Sequence, residues 1–340
     1  MLDLGARKDI ELLKYDLDSD MFEEFQLVVY NIVPVRKAFF ISTDKGDKML
    51  KKVNYTIDEF NYIISAINYI KKSFNRIINF AKTKDGKEYY IKNGELYCIM
   101  DMIQGRECEF SNPVDVSIAA QGLSELHKAS EGFRTNLPTK NNCGTFIESF
   151  MRKKDEMLFF KKMSNLYEIK TEFDNIFIKN VDYYIDKIDE SLEKLKLTQY
   201  YKLCSEEDKI VLCHHDLAHH NIIINNEEAY FIDFDYSVVD LRVHDLCNFI
   251  SKVVKNFDYD ISKAALILDS YCKETSLKKS ELEVLYALLS FPNDFYNISK
   301  DYYSRRKEWG ENTFFNRLNN KISAETSRIE FLGEFKNNFL

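Results

Sequence analysis

A short run of polar, chemically active residues, pinned between apolar runs, constrains this chain most. Cys213-His214-His215-Asp216-Leu217-Ala218-His219-His220-Asn221 leads into Ile222-Ile223-Ile224, then Asn225-Asn226, then Ala229-Tyr230-Phe231-Ile232 and Asp233-Phe234-Asp235. The apolar runs favour β-strands and the Asn pair favours a turn. A hairpin turning near Asn226-Glu227 sets Asn221, on its first strand, beside Ile232 and Asp233 on its second. Asn221 and Asp233 then emerge at the same end, and Asp216 hangs from the loop that enters the hairpin. Two carboxylates and one amide oxygen converge on one point.

That convergence has a chemical use. Mg²⁺ takes hard oxygen ligands and keeps several waters plus substrate phosphates, so one or two carboxylates suffice. The remaining carboxylate can accept a proton from a hydroxyl. Asn221 follows Asp216 by five positions, with His214 two before it, which is the H-x-D-x-x-x-x-N spacing of kinase catalytic loops. A D-x4-N match alone is weak, because Asp and Asn are common in loops. The hairpin and the terminal Asp233 give it weight. Four of the six histidines fall here, which invites a zinc reading, but no second cluster with ligand spacing accompanies them. His219 and His220 read as loop residues, and His214 as a packed histidine that holds the loop.

The chain has 340 residues, enough for two domains, with 45% hydrophobic and 30% charged residues and only four prolines. That composition is of a folded globular protein. The net charge of −8 argues against a dominant nucleic-acid-binding surface. No apolar run approaches a membrane span, and residues 1–9 lack a signal-peptide core. Seven scattered cysteines suit a reducing compartment better than a disulfide scaffold.

Patterning divides the chain. Phe25 to Val33, Lys37 to Thr43 and Asp47 to Val53 read as strands, the first two around Pro34. Ile57 to Ile70 is helical, with Phe60, Ile63, Ile64, Ile67 and Ile70 on one face. Ile77 to Thr83, Glu88 to Lys92 and Glu95 to Met102 read as further strands, with turns at Lys84-Asp85-Gly86 and Asn93-Gly94. Helices follow over Val114 to Ala129, Phe146 to Met163, Ile169 to Leu195 and from Leu241 onward. The expected architecture is α+β and bilobal. An N-lobe (1–102) has an antiparallel sheet plus helix, and a larger, mainly helical C-lobe (103–340) carries the catalytic hairpin. The boundary is expected at Met102-Ile103-Gln104-Gly105-Arg106.

A phosphate-binding cation is expected on the third strand. Lys51 is preferred because it shares a face with Met49, which would floor an adenine, and Lys52 competes. Glu59, on the following helix, is the candidate acid partner. Met100 to Ile103 are expected to supply the backbone that meets adenine, so Met100 and Met102 join the nucleotide-binding candidates. Asp235 ranks second to Asp233 for metal, since it points the same way if the strand continues. Asp245 is expected to tie down the catalytic loop by accepting its N–H groups. No G-x-G-x-x-G loop covers the phosphates.

His214-x-Asp216-x4-Asn221 with Ile232-Asp233-Phe234 resembles the motif of aminoglycoside phosphotransferases and choline kinases, within the protein-kinase-like superfamily. Closer still is the bacterial spore-coat CotS family. The carriers are Cys213 to Asn221, Ile232-Asp233-Phe234-Asp235-Tyr236, His244-Asp245-Leu246, Gly105-Arg106-Glu107-Cys108, Leu126-His127-Lys128-Ala129-Ser130 and Phe291-Pro292 with Tyr302-Tyr303. The resemblance implies a two-lobed kinase-like fold with ATP and Mg²⁺. It implies Asp216 as catalytic base, Asn221 and Asp233 on Mg²⁺, and Lys51 on phosphate. It also implies cytoplasmic synthesis and assembly on the endospore coat, with other coat proteins as partners. Two functions are expected to compete. One is ATP-dependent transfer to a hydroxyl of a small molecule or coat component. The other is a structural coat protein with little turnover. A protein kinase is disfavoured, because only twelve residues separate Asp233 from Asp245. The aromatic stretch Phe291 to Trp309 lines an acceptor pocket or fills the core. The many acidic residues suit a cationic acceptor or a solvated surface.

Overall fold

The computed structural model describes residues 17–340. Residues 1–9, read above for a signal-peptide core, lie outside them. The described chain forms two compact units. The first comprises the residues up to Cys108 together with His220–Asp235, and the second comprises Glu109–His219 and Tyr236–Leu340.

In the first unit, α1 (Ser19–Glu24) is capped by Asp18, whose carboxylate accepts the Met21 N–H. A five-stranded antiparallel sheet follows, built from β1 (Val29–Val35), β2 (Ala38–Thr43), β3 (Gly46–Val53), β4 (Tyr90–Lys92) and β5 (Glu95–Asp101) in the order β1-β2-β3-β5-β4. Phe25 does not begin the first strand as expected. It is the C-cap of α1 and packs with Leu17, Met21, Ile41, Leu50 and Ile99 in the core. Nor does Pro34 break the strands. It lies within β1, an edge strand where a missing N–H is tolerated, and the chain turns at Arg36 instead.

Helix α2 (Ile57–Ile70) buries Phe60, Ile63, Ile67 and Ile70 as the periodicity predicts, with Tyr62 and Ala66 besides. Ile77 to Thr83, expected as a strand, makes only isolated bridges, Ile77 to Phe231 and Phe80 to Met100. The strand β6 (Arg106–Glu107) pairs with β8 (Ile222–Asn225), which pairs with β9 (Glu228–Phe231). That pairing moves the expected division. The first unit ends after Cys108 rather than Met102 and takes the hairpin with it, because β6 and the Cys108 N–H hydrogen-bond β8. Gly105 permits this approach. Its φ is +139°, and a Cβ there would stand 2.6 Å from the Ile224 carbonyl oxygen and 2.7 Å from Ile223 Cγ2.

The second unit is mainly helical. Its helices are α3 (Pro113–Ser130), α4 (Phe146–Leu166), α5 (Glu172–Leu197), α6 (Tyr200–Leu203), α7 (Arg242–Val254), α8 (Ile261–Tyr271), α9 (Lys279–Ser290), α10 (Asn293–Tyr303), α11 (Glu311–Ser323) and α12 (Glu325–Phe339). A two-stranded ladder, β7 (Ile210–Cys213) with β10 (Val238–Leu241), carries the polar loop at its end. The aromatic stretch after Phe291 is only partly core. Phe295 stacks on Tyr184 in the core at 3.7 Å. Tyr302 and Tyr303 stack on the buried Phe173 and Phe160, and with Trp309 and Asp174 they also line a cavity of about 390 Å³. Among the described residues, no helix is long and apolar enough to cross a membrane.

Candidate active site

The candidate residues fall in both units, and each set is organised within its own unit. In the first, β8 and β9 form the expected hairpin. Asn226 and Glu227 turn it with φ of 50° and 61°, the left-handed pair that a two-residue hairpin turn needs. The Ile232 N–H donates to the Asn221 carbonyl oxygen at 3.0 Å, so the two arms stay in register to the hairpin base. Asn221 is buried. Asp233 follows with φ of +64°, a left-handed conformation that costs a non-glycine residue energy and clusters at functional positions. That twist leads into the short helical turn that holds Asp235.

Lys51, on β3, meets both carboxylates. Its Nζ lies 2.6 Å from Asp233 Oδ1 and 2.6 Å from Asp235 Oδ2. Asp235 Oδ1 also accepts from the Tyr55 hydroxyl at 3.0 Å. Burial pulls the Lys51 ammonium down, but Asp235 and Asp233 outweigh it and hold it above the ordinary lysine value. Burial, then repulsion from Asp233, pushes the Asp235 carboxyl up despite Lys51. A cation bridging two carboxylates marks a position where positive charge is stabilised. Lys52, the competing candidate, points away to Glu95 at 3.2 Å.

Two nucleotide-side expectations need revision. Glu59 does not serve Lys51. It is the N3 residue of a capping box, accepting from the Thr56 N–H at 3.1 Å while its own N–H donates to Thr56 Oγ1. The acids that meet Lys51 are Asp233 and Asp235. Met100 pairs with Met49 across β5 and β3, as a shared floor requires. The Met102 N–H, however, already donates to the Asp47 carbonyl at 3.2 Å, and the Asp101 N–H to the Asn79 carbonyl at 2.9 Å.

In the second unit, the loop after β7 is held from α7. Asp245 is wholly buried and accepts the His214 N–H at 2.5 Å and the His215 N–H at 2.8 Å. His127 Nε2, from α3, lies 3.1 Å from the same carboxylate. Burial pushes the Asp245 carboxyl up, but His127, His214 and the His215 N–H pull it down to about 2. Asp245 therefore does what the sequence led us to expect. The clamp also has members the sequence reading missed. Asn248 accepts the Leu217 N–H at 3.1 Å and donates to the His215 carbonyl at 3.2 Å. Ser130 Oγ accepts the Leu212 N–H at 3.0 Å. The Leu126-to-Ser130 motif thus anchors the strand that enters the loop.

His214 is buried, and its Nδ1 accepts the Asp216 N–H at 3.3 Å. His215 takes φ of +68° and places Nε2 3.0 Å from His244 Nε2. Burial and His244 lower its imidazole to about 3, so the ring is neutral near pH 7. The Asp216 carboxylate is ion-paired with Lys252 of α7, another residue absent from the sequence reading. His127, Cys213 and Asp245 lie close enough together to hold a cation. Both His127 nitrogens already have partners, however, since Nδ1 meets the Tyr271 hydroxyl at 2.8 Å. Burial also pushes the Cys213 thiol well up, which opposes the thiolate a metal needs.

The sequence model of a family described as "Spore coat putative kinase YutH" matches residues 18–335. "Spore coat protein S" of Bacillus subtilis (strain 168) is 24% identical over 302 residues, which is 87% of this chain and 86% of that protein. Among solved structures, an aminoglycoside phosphotransferase from Alicyclobacillus acidocaldarius superposes with a TM-score of 0.81 at 17% identity, over 95% of this chain and 96% of that one. A spectinomycin phosphotransferase solved with ADP and spectinomycin gives 0.65 at 16% identity, over 90% and 96%. These likenesses show the fold, α+β and kinase-like.

Proposed function

The chain belongs to the spore coat YutH family, and from that premise we propose that it is an ATP-dependent phosphotransferase of the endospore coat, acting on a hydroxyl group. The observation that carries this reading is Lys51 held 2.6 Å from both Asp233 and Asp235 at the end of the hairpin that begins with Asn221. This donor set suits Mg²⁺. It offers two carboxylates and an amide, all hard oxygen ligands, and the bridging ammonium marks where positive charge is stabilised. Asn221 and Asp233 would hold the ion, with Asp235 in support, and the ion would neutralise charge on the phosphates. Lys51 would turn from the carboxylates to a phosphate oxygen. The paired Met49 and Met100 give adenine an apolar floor.

Asp216 accepts the proton of the acceptor hydroxyl. Asp245 and Asn248 hold the backbone on both sides of it, and that fixed geometry lowers the barrier by positioning. His215 is neutral and takes no proton near pH 7. One observation favours the second reading, a coat protein with little turnover. Lys252 already engages the Asp216 carboxylate, so the carboxylate must leave that ion pair before it can meet an acceptor hydroxyl. Hydrolysis of Mg·ATP, followed by phosphate release, separates the two readings. The enzyme reading expects turnover that falls at least about 100-fold in Asp216→Ala, the ordinary worth of a general base. Turnover equal in wild type and variant refutes Asp216 as base, and none in either favours the coat protein.

A further inference from the structure

The second unit contains an ammonium that, among the described residues, no carboxylate contacts. Lys153 of α4 sets its Nζ over three rings, 4.8 Å from the centroid of Phe291, 5.3 Å from Tyr296 and 5.8 Å from Phe150. Among the described residues no carboxylate pairs with it and no acceptor takes its N–H groups. Ring faces attract an ammonium but supply no lone pairs for its three donors. Glu156, the carboxylate whose charge acts on it, is committed elsewhere. Glu156 bonds the Tyr296 hydroxyl at 2.6 Å and Lys300 at 2.8 Å. Arg152, Lys153 and Lys300 therefore gather three positive charges around the Glu156 carboxylate, in a chain of net charge −8. Desolvation, with Arg152 and Lys300 beside it, lowers the Lys153 ammonium to about 8.

The position of these charges relates them to the chemistry. The charge of Lys153 acts on His215, next to Asp216, and on Cys247. Cys247 lies five residues before Lys252 on α7, roughly 7.5 Å along the axis at helical rise. Phe291, the ring nearest the ammonium, precedes the N-terminus of α10, which has no side-chain cap and presents the positive end of its dipole. Lys153, Arg152 and that helix end all favour negative charge beside the catalytic loop.

We propose that the acceptor carries, besides its hydroxyl, an anionic group, a phosphate or a carboxylate, that Lys153 binds with help from Arg152. This rests on the phosphotransferase reading and names its substrate class. It reverses the cationic acceptor that the acidic composition suggests. The rings hold the ammonium by their faces, and a bound anion gives its donors the acceptors that ring faces lack.

The test titrates the full chain, first saturated with Mg·ADP, with glycerol, glycerol 3-phosphate, glycerate and inorganic phosphate at millimolar concentration. Binding is followed by calorimetry. The expected result is that at least one anion binds at least about 10-fold tighter than glycerol, the worth of a hydrogen bond to a charged group. The phosphate and carboxylate arms show which anion is preferred. Lys153→Met abolishes that preference, Lys153→Arg retains it, and both keep wild-type affinity for Mg·ADP. Anions that bind no better than glycerol, or equally well to Lys153→Met, overturn the proposal. Failure of Mg·ADP to bind counts against the phosphotransferase reading instead. The anion comparison on the nucleotide-free protein then still decides the role of Lys153.

Discussion

Replacing Asp245 by asparagine removes one negative charge from a wholly buried side chain and changes its shape little. Two losses follow. The carboxylate accepts two loop N–H groups, from His214 and His215, whereas an amide has one acceptor oxygen and turns a donor toward the other. The folded protein also stabilises the ionised form, holding the carboxyl at about 2 against an ordinary 3.8. At about 1.4 kcal/mol per unit, that difference is worth roughly 2.5 kcal/mol at neutral pH. With the unsatisfied N–H added, Asp245→Asn is expected to cost about 3 kcal/mol. The pH dependence follows from the sign. Because the folded value lies below the unfolded one, the wild-type advantage is full above about pH 5 and disappears as pH falls from 3.8 toward 2. Trp309, the only tryptophan, lies in the same unit, so its fluorescence in a urea titration reports this unfolding directly. A loss below about 0.5 kcal/mol at pH 7, or one that persists undiminished near pH 2, refutes the view that Asp245 is the charged anchor of the loop.

Three further outcomes follow from the packing. Lys153→Met is expected to raise stability by about 2 kcal/mol at pH 7, since the ammonium is desolvated and methionine suits an aromatic slot. The folded value of Lys153 is lowered, so its cost is full below pH 8 and fades toward 10.5; a urea series in which the gain does not shrink across that window contradicts the reasoning. Gly105→Ala should destabilise the first unit by about 3 kcal/mol, because the new Cβ meets the Ile224 carbonyl and the positive φ disfavours a side chain; hydrogen exchange at Ile223 and Ile224 as slow as in wild type would disprove the clash. In Lys51→Met the two aspartates lose their counter-ion, so Mg²⁺ alone should raise the melting temperature more than in wild type; an equal or smaller rise rejects Lys51 as the cation that balances them.

Local chemistry was readable from the sequence, and partners across long separations were not. The hairpin was legible because strand-forming runs flank an Asn-Asn pair, and its register placed Asn221 beside Ile232 as found. Alternation along β3 favoured Lys51 over Lys52, and Lys51 meets Asp233 and Asp235 whereas Lys52 meets Glu95. The error at Glu59 was avoidable. Thr56-Ile57-Asp58-Glu59 is a capping box in the sequence itself, and that local bond takes the carboxylate. The short α1 was signalled by Asp18, but apolar Phe25 to Val33 read more strongly as a strand. Lys252 and Asn248 escaped because only the fold brings α7 to the loop, more than thirty residues earlier in the chain. His127 and Ser130 stood in a recognised motif, but their bonds to Asp245 and Leu212 arise only when α3 packs against β7 and α7.

The most direct measurement of the central claim is the melting temperature of the full chain with ATP, with and without Mg²⁺, in the wild type and in Asp233→Ala. At about 100 times its dissociation constant, the nucleotide should add roughly 2.7 kcal/mol of stability. The account predicts a wild-type shift that needs Mg²⁺ and is lost in Asp233→Ala. A shift equally large without the metal, or retained in the variant, contradicts the assignment of Asp233, and no shift in the wild type contradicts the nucleotide site itself.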